Sequence, residues 1–474
     1  MPRRVVPLLL ALTMLSSAAI VLTAPASPPP DTGGPAAGVQ LSTPVLSARR
    51  VPGLLSRTVG LVRLRAELDA VFDDASLGRA RETSCLSVEE GDTSIYERNA
   101  DQRLIPASTL KVLTGMAALR RLGSDFRFVT HVRSAGPVRG GVVEGPLWLV
   151  GAGDPLLSTH AYAASFRNQP QVFTSLDALA DAIVAAGVRE VRGGVHGDES
   201  RYDTVRYLPG WKPVYLSENE TGPLSALVVN DNFVQYRPLR TVAAPAPALH
   251  GAGTLTELLR GRGLVVADPG QSTAPAEAKP LASISSPTLP EVVGQMLRES
   301  DNMTAEMLIK ELGRRFGGAG SWGAGLEVVR ATVAEAGLPA EGYAAVDGSG
   351  LDISNRLSCS LLMDALDLAG PEGPVAAGLA LAGQTGTLAD RFKGNPAEGR
   401  LRAKTGSLNF VVGLVGFVEA QQARTLEFAL LANGLPNKTV AGRALQERVG
   451  AILSQYPHAP PPEDIRPEAP AQVG

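Results

Sequence analysis

Apolar residues recur at helical spacing from Leu61 to Phe72, and again through Leu110, Val112, Leu113, Met116, Ala117 and Leu119. Both stretches predict amphipathic helices, the second closed by Gly123 as a C-cap. Cys85–Glu89 and Thr93–Glu97 flank Glu90-Gly91-Asp92 and predict a β-hairpin. Phe126, Phe128, Thr130 and Val132 alternate with Arg127, His131 and Arg133, the period of a strand. Ser175 is placed to cap a helix running to Ala186-Gly187, and Asn437 to cap a last one ending near Leu453. Val292, Val293, Met296 and Leu297 form one helical stripe, and Ala305, Met307 and Leu308 another. Polar Ser300-Asp301-Asn302 interrupts them. Leu408–Glu419 and Thr425–Asn433 are apolar runs of strand length joined by the polar segment Ala420–Arg424, a second hairpin. No internal repeat is found.

The ends of the chain break this patterning. Met1-Pro2-Arg3-Arg4 is basic, Val5 to Ala24 is apolar, and Ala24-Pro25-Ala26 offers a small-x-small cleavage site. Residues 1–26 therefore read as a secretory signal peptide or, if retained, as a membrane anchor, and an extracytoplasmic location is expected. Residues 27–58, rich in Pro, Ala, Gly and Ser, read as a flexible linker, and the proline-rich residues 456–474 as a disordered tail. A net charge of −3 gives no reason to expect a nucleic-acid partner. The five histidines lack ligand spacing, so no metal or other cofactor is expected. The two cysteines, Cys85 and Cys359, are expected to pair if the chain reaches an oxidising compartment; two separately buried thiols are the alternative.

Three short segments carry candidate chemistry. Ser108 and Lys111 lie one turn apart where Ile105-Pro106-Ala107 enters the second helix. A serine hydroxyl becomes a nucleophile when a base takes its proton, and a lysine can be that base if burial or a nearby cation lowers its pKa. The helix start adds a positive dipole and free N–H groups. An N-cap serine followed by a surface lysine would be the ordinary structural meaning of the pair. Ser300 and Asn302 could project into a cleft, the hydroxyl relaying a proton to a leaving amine and the amide holding a substrate amide. Lys404-Thr405-Gly406-Ser407 stands at a strand edge. There it could offer a cation and hydroxyls to a carboxylate, and Gly406 could admit a substrate backbone as an added strand.

In this order the three segments form a Ser-x-x-Lys, Ser-x-Asn, Lys-Thr-Gly set. The chain resembles the D-alanyl-D-alanine carboxypeptidase/endopeptidase family, the class C low-molecular-mass penicillin-binding proteins (peptidase family S13). Asp347-Gly348-Ser349-Gly350-Leu351, Gly386-Thr387-Leu388 with Arg391-Phe392, Gly153-Asp154-Pro155 and Leu227 to Asn232 add to the likeness, which runs from about Cys85 to Leu453. The resemblance implies an α+β architecture: a β-lactamase/transpeptidase-like domain, with an antiparallel sheet, flanking helices and an all-helical subregion. That domain is split into residues 59–123 and 281–455 by an inserted α+β domain over residues 124–280, shorter than the family's usual insertion. It further implies Ser108 as nucleophile, Lys111 as base, and Ser300, Asn302 and Lys404 as catalytic partners. Thr405, Gly406 and Ser407 would contact substrate, and backbone N–H groups of Ser108 and Ser407 would form the oxyanion hole. Asp154, which in isolation reads as a turn residue, would meet a substrate amine near the cleft mouth. Peptidoglycan stem peptides are the implied substrate and β-lactams the covalent inhibitors, with N-terminal membrane association if residues 1–26 are kept. One departure bears on specificity. The family usually continues Gly-Leu with Ser-Arg, the arginine binding a side-chain carboxylate; here Asp352-Ile353 follows.

Three other readings compete. A class A β-lactamase needs a Glu-x-x-Leu-Asn run after the second segment, and none lies between Asn302 and Lys404. A non-catalytic peptidoglycan-binding or penicillin-sensing protein would not need Ser108, Lys111 and Lys404 together. An esterase or unrelated hydrolase on the same scaffold is the third.

Overall fold

A computed structural model describes residues 51–237 and 242–458. Residues 1–26, the linker up to residue 50 and the tail beyond His458 lie outside the described residues. The first helix, α1 (Val51–Phe72), starts earlier than its apolar stripe, so residues 51–58 are helix, not linker. Linker-like Pro52 and Gly53 stand in its first turn, where backbone N–H groups have no acceptor within the helix and proline costs nothing. Leu64, Leu68, Val71 and Phe72 are its buried face.

The predicted hairpin follows as β1 (Ser84–Glu90) and β2 (Thr93–Arg98), then α2 (Lys111–Leu122), which ends at Gly123 with φ of 85°. The inserted region contributes β3 (Val129–Ser134), β4 (Leu147–Val150), α3 (Leu176–Ala185), β5 (Val195–Asp198), α4 (Pro247–Gly261), β6 (Gly270–Gln271) and β7 (Lys279–Ser285). Ser175 caps α3 as expected, accepting from the Ala178 N–H. The chain returns through α5 (Leu289–Glu299), α6 (Asn302–Phe316), α7 (Trp322–Glu335), α8 (Cys359–Ala369) and the two-residue β8 (Ala380–Leu381). It ends with β9 (Leu401–Leu408), β10 (Val411–Glu419), β11 (Thr425–Asn433) and α9 (Arg443–Gln455).

A six-stranded antiparallel sheet, ordered β8-β9-β10-β11-β1-β2, is the centre of the split domain. Its inner strands are buried on both faces, which is why β10 and β11 read as continuous apolar runs rather than alternating ones. One face packs on α1 and α9 through Leu86, Val88, Leu414, Val418 and Phe428. The other, through Cys85, Val415, Phe417, Ala429 and Leu431, packs on α8 and joins one apolar core with α2, α5, α6 and α7. This is the sheet and all-helical subregion that the resemblance implied. Tyr456, expected in the disordered tail, is 5% exposed and its carbonyl accepts from the Gln421 N–H at 2.8 Å.

The inserted region builds its own mixed sheet, ordered β6-β5-β4-β3-β7, with α3 and α4 over a separate apolar core. Two boundaries differ from expectation. Phe126 and Phe128 precede the strand, which begins at Val129, and β7 carries the inserted sheet past residue 280 to Ser285. Entry and exit are adjacent: Val129 pairs with Ser285, and the Ser286 N–H donates to the Phe128 carbonyl at 2.8 Å. The insertion is also anchored to the helices. Lys310 Nζ, on α6, donates to Asp203 at 2.7 Å; Arg201 and Tyr202 both donate to Glu311 at 2.7 Å; Trp211 Nε1 donates to Asp347 at 3.0 Å.

Cys85 of β1 and Cys359 at the start of α8 form a disulfide, their Cα atoms 6.0 Å apart. The bridge ties two segments of the split domain across 274 residues. In the chain-entropy account a loop of that size contributes at most about 5.6 kcal/mol. Replacing both cysteines with alanine is expected to lower denaturant stability by a substantial part of that amount, read by urea unfolding. Thiol titration of the denatured, unreduced wild-type protein is expected to find no free thiol, and two reactive thiols would contradict the bridge.

Candidate active site

The turn that holds Ser108 is assembled from backbone that only small residues permit. Ala107 has a φ of 48°, the left-handed region that costs a non-glycine residue of order 1 kcal/mol. Two glycines from distant segments close around it. A Cβ on Gly350, itself at φ 86°, would lie 1.9 Å from the Ala107 carbonyl oxygen, and one on Gly406 would lie 2.7 Å from that of Pro106. A side chain at Gly406 is thus excluded by the turn that holds Ser108. Gly406 still lines the cleft.

Ser108 stands in the 3₁₀ turn Ala107–Leu110 that leads into α2. Lys111, fully buried, reaches back so that its Nζ lies 3.1 Å from Ser108 Oγ. The same nitrogen donates to Asn302 Oδ1 and to the Ser349 carbonyl, each at 2.7 Å. Asn302 Nδ2 donates to the Glu220 carbonyl at 2.8 Å, which fixes the amide with its oxygen toward Lys111. Burial pushes Lys111 down to about 8, against the pull of the Glu306 and Asp347 carboxylates.

Ser300 ends α5 in the left-handed conformation, φ 62° and ψ 36°, and Asn302 opens α6. The bend turns the Ser300 hydroxyl toward β9, where it meets Lys404 Nζ at 2.9 Å. Lys404 also donates to the Thr405 carbonyl at 2.7 Å. It is fully buried, and burial together with the Lys111 charge holds it well below the ordinary lysine value. β8 pairs only with Ala403 and Arg402, so from Lys404 onward that edge of β9 has no strand beside it among the described residues.

A cavity of about 480 Å³ runs along this edge, lined by Ser108, Ser300, Asn302, Thr405, Gly406 and Ser407. All three sequence segments thus meet in one cleft. Asp154 does not join them. It is 2% exposed, does not line the cavity, and accepts from the Leu156 N–H at 2.9 Å in a local turn; burial raises its pKa to about 6. Sequence reasoning assigned no role to Thr387, whose hydroxyl is 3.0 Å from that of Thr405, or to Glu220, which orients Asn302 through its backbone.

The fold and cleft define a serine acyl-transfer enzyme of the penicillin-interacting type. The chain belongs to the D-Ala-D-Ala carboxypeptidase 3 (S13) family, whose model matches residues 64–242 and 238–456. It is 31% identical over 488 residues to a D-alanyl-D-alanine carboxypeptidase of Actinomadura sp. (strain R39), covering 86% of this chain and 87% of that protein. A carboxypeptidase of Mycobacterium tuberculosis is 31% identical over 421 residues, covering 85% and 87%. The crystal structure of penicillin binding protein 4 from Haemophilus influenzae superposes with a TM-score of 0.67 at 20% identity, over 79% of this chain and 96% of that one.

Proposed function

We infer that this protein is a serine D-Ala-D-Ala carboxypeptidase/endopeptidase acting on peptidoglycan stem peptides through an acyl-enzyme, and that β-lactams acylate the same serine. The observation that carries the mechanism is the set of partners around Lys111 Nζ: Ser108 Oγ, Asn302 Oδ1 and the Ser349 carbonyl. The carbonyl and the oriented amide oxygen can only accept. A neutral amine has two N–H bonds and one lone pair. With both N–H bonds given to those acceptors, the lone pair is left for the Ser108 proton.

Ser108 then attacks the carbonyl between two D-alanines while Lys111 takes its proton. The Ser300 hydroxyl, joined to Lys404, passes a proton to the departing amine. Backbone N–H groups of Ser108 and Ser407 would stabilise the oxyanion. The Thr405 and Ser407 hydroxyls hold the terminal carboxylate, and water releases the acyl group. The open edge of β9 accepts the extended peptide as an added strand. Work on peptidoglycan takes place outside the cytoplasm, with residues 1–26 serving export or anchoring. Labelling with a fluorescent penicillin, followed by digestion of a stem pentapeptide, tests this function. No label together with intact peptide would refute it.

We propose that the side chain of the stem peptide need not carry a free carboxylate. Ile353, at the family's arginine position, is 43% exposed and absent from the cavity wall. Arg356, the nearest replacement in sequence, has its Nη1 donating to the Ile353 and Asn355 carbonyls at 2.6 and 2.8 Å and does not line the cavity. Amidated stem peptides are expected to match or exceed the free acid in kcat/KM. A tenfold preference for the acid, about 1.4 kcal/mol of transition-state binding, would contradict this.

A further inference from the structure

Glu306 is fully buried in the all-helical subregion, does not line the cleft, and has no part in the mechanism above. It lies one turn after Asn302 on the same face of α6. Its carboxylate accepts four backbone and side-chain contacts. Oε1 takes the Ser349 N–H at 2.8 Å and the Gly348 N–H at 3.2 Å; Oε2 takes the Gly348 N–H at 3.0 Å and Trp322 Nε1 at 2.7 Å. The carbonyls of the same two residues point the other way, to α2. Thr114 Oγ1 donates to that of Gly348 at 2.8 Å, and Lys111 to that of Ser349 at 2.7 Å. The two residues are therefore gripped by their N–H groups from one helix and by their carbonyls from another. Through Asn302 and Glu306, α6 governs both acceptors of the Lys111 N–H bonds.

We propose that Glu306 is a positioning residue for acylation: it fixes the Ser349 carbonyl against Lys111, so that the lysine lone pair faces Ser108, and supplies the negative charge that sets when Lys111 gives up its proton. The proposal rests on Lys111 being the base. The charges facing Lys111 are Glu306, Asp347, Asp301 and Glu220, opposed by Lys404. Those facing Glu306 are Asp347, Lys310 and Lys111. Burial and the Asp347 carboxylate raise Glu306 to about 7. Both its oxygens take N–H donors, the hydrogen-bonding pattern of an ionised carboxylate, and that charge favours the ammonium on Lys111.

The test is the second-order rate of benzylpenicillin acylation against pH, from 5.5 to 10, on the full chain. Glu306→Gln keeps an oxygen for the N–H donors and removes the charge. Lys111 then loses its proton more easily, and the acid limb of the profile is expected to move down by about half a pH unit or more. Glu306→Ala removes the grip as well, and its plateau rate is expected to fall at least about tenfold while Ser108 is still the labelled residue. Trp322→Phe leaves the carboxylate with one donor fewer and is expected to move the limb in the same direction by less. It decides the matter if Glu306→Gln does not fold. A limb that stays within 0.2 units of wild type in whichever of these two variants folds would overturn the proposal. Lys111→Ala is measured alongside: if its residual acylation keeps the wild-type limb, the failure lies with Lys111 as base, not with Glu306.

Discussion

Ser108→Ala is expected to abolish covalent labelling by benzylpenicillin while leaving the protein folded. Ser108 is half-buried, and the turn that holds it depends on Ala107, Gly350 and Gly406 rather than on its hydroxyl. Removing one hydroxyl at the cleft wall creates no cavity in the core, so the melting temperature should move by no more than a surface substitution would cause. Mass spectrometry of penicillin-treated variant and wild type checks this. An adduct that persists in the variant would show that another residue is the nucleophile.

Lys111→Ala is expected to slow acylation by about 10²–10⁴-fold, the usual contribution of a general base. Lys111→Arg should not rescue it, because a guanidinium does not release its proton in this range. The sign of the pH dependence follows from the direction of the shift. The neutral amine is the active form, and burial lowers Lys111 to about 8. Acylation should therefore rise about tenfold per pH unit below that value and level off above it. An ordinary exposed lysine would still be climbing at pH 10. A rate that falls with rising pH through this range would contradict Lys111 as the base.

Much of the site was legible because its geometry is local. Ser108 and Lys111 are one turn apart, so their spacing alone puts amine near hydroxyl. Ser300 and Asn302 read as a break between helices, and the left-handed Ser300 is that break. Gly123, Ser175 and Asn437 marked helix ends through cap chemistry that acts over a few residues. What escaped depends on distant segments. Glu306 sits in an apolar stripe between Ala305 and Met307, and an inward charge there was a usable signal. Its purpose appears only when residues 348 and 349 are folded against it. Asp154 failed for the converse reason: the turn chemistry was visible, but not that the turn faces inward. The start of α1 was missed because proline and glycine in a first turn look the same as in a linker.

The anchoring of the inserted region sets a direction on the history of this chain. Topologically the insertion is a detachable module, since Val129 and Ser285 are paired neighbours and a short turn could join their flanks. Chemically it is not, because Lys310 and Glu311 are fully buried: Lys310 takes its counter-charge from Asp203 within the module, and Glu311 shares Arg201 of the module with Arg315 of its own helix. Deleting the module would strand Lys310, at about 3–5 kcal/mol for the broken pair, would leave Glu311 with Arg315 alone, and would free the Asn302 amide from the Glu220 carbonyl that holds it. An ancestor could gain such a module in one event, whereas a descendant could shed it only after first replacing those buried charges. Lineages of this fold should therefore shorten the module from its outer sheet inward, and keep the stretch from Arg201 to Glu220 to the last.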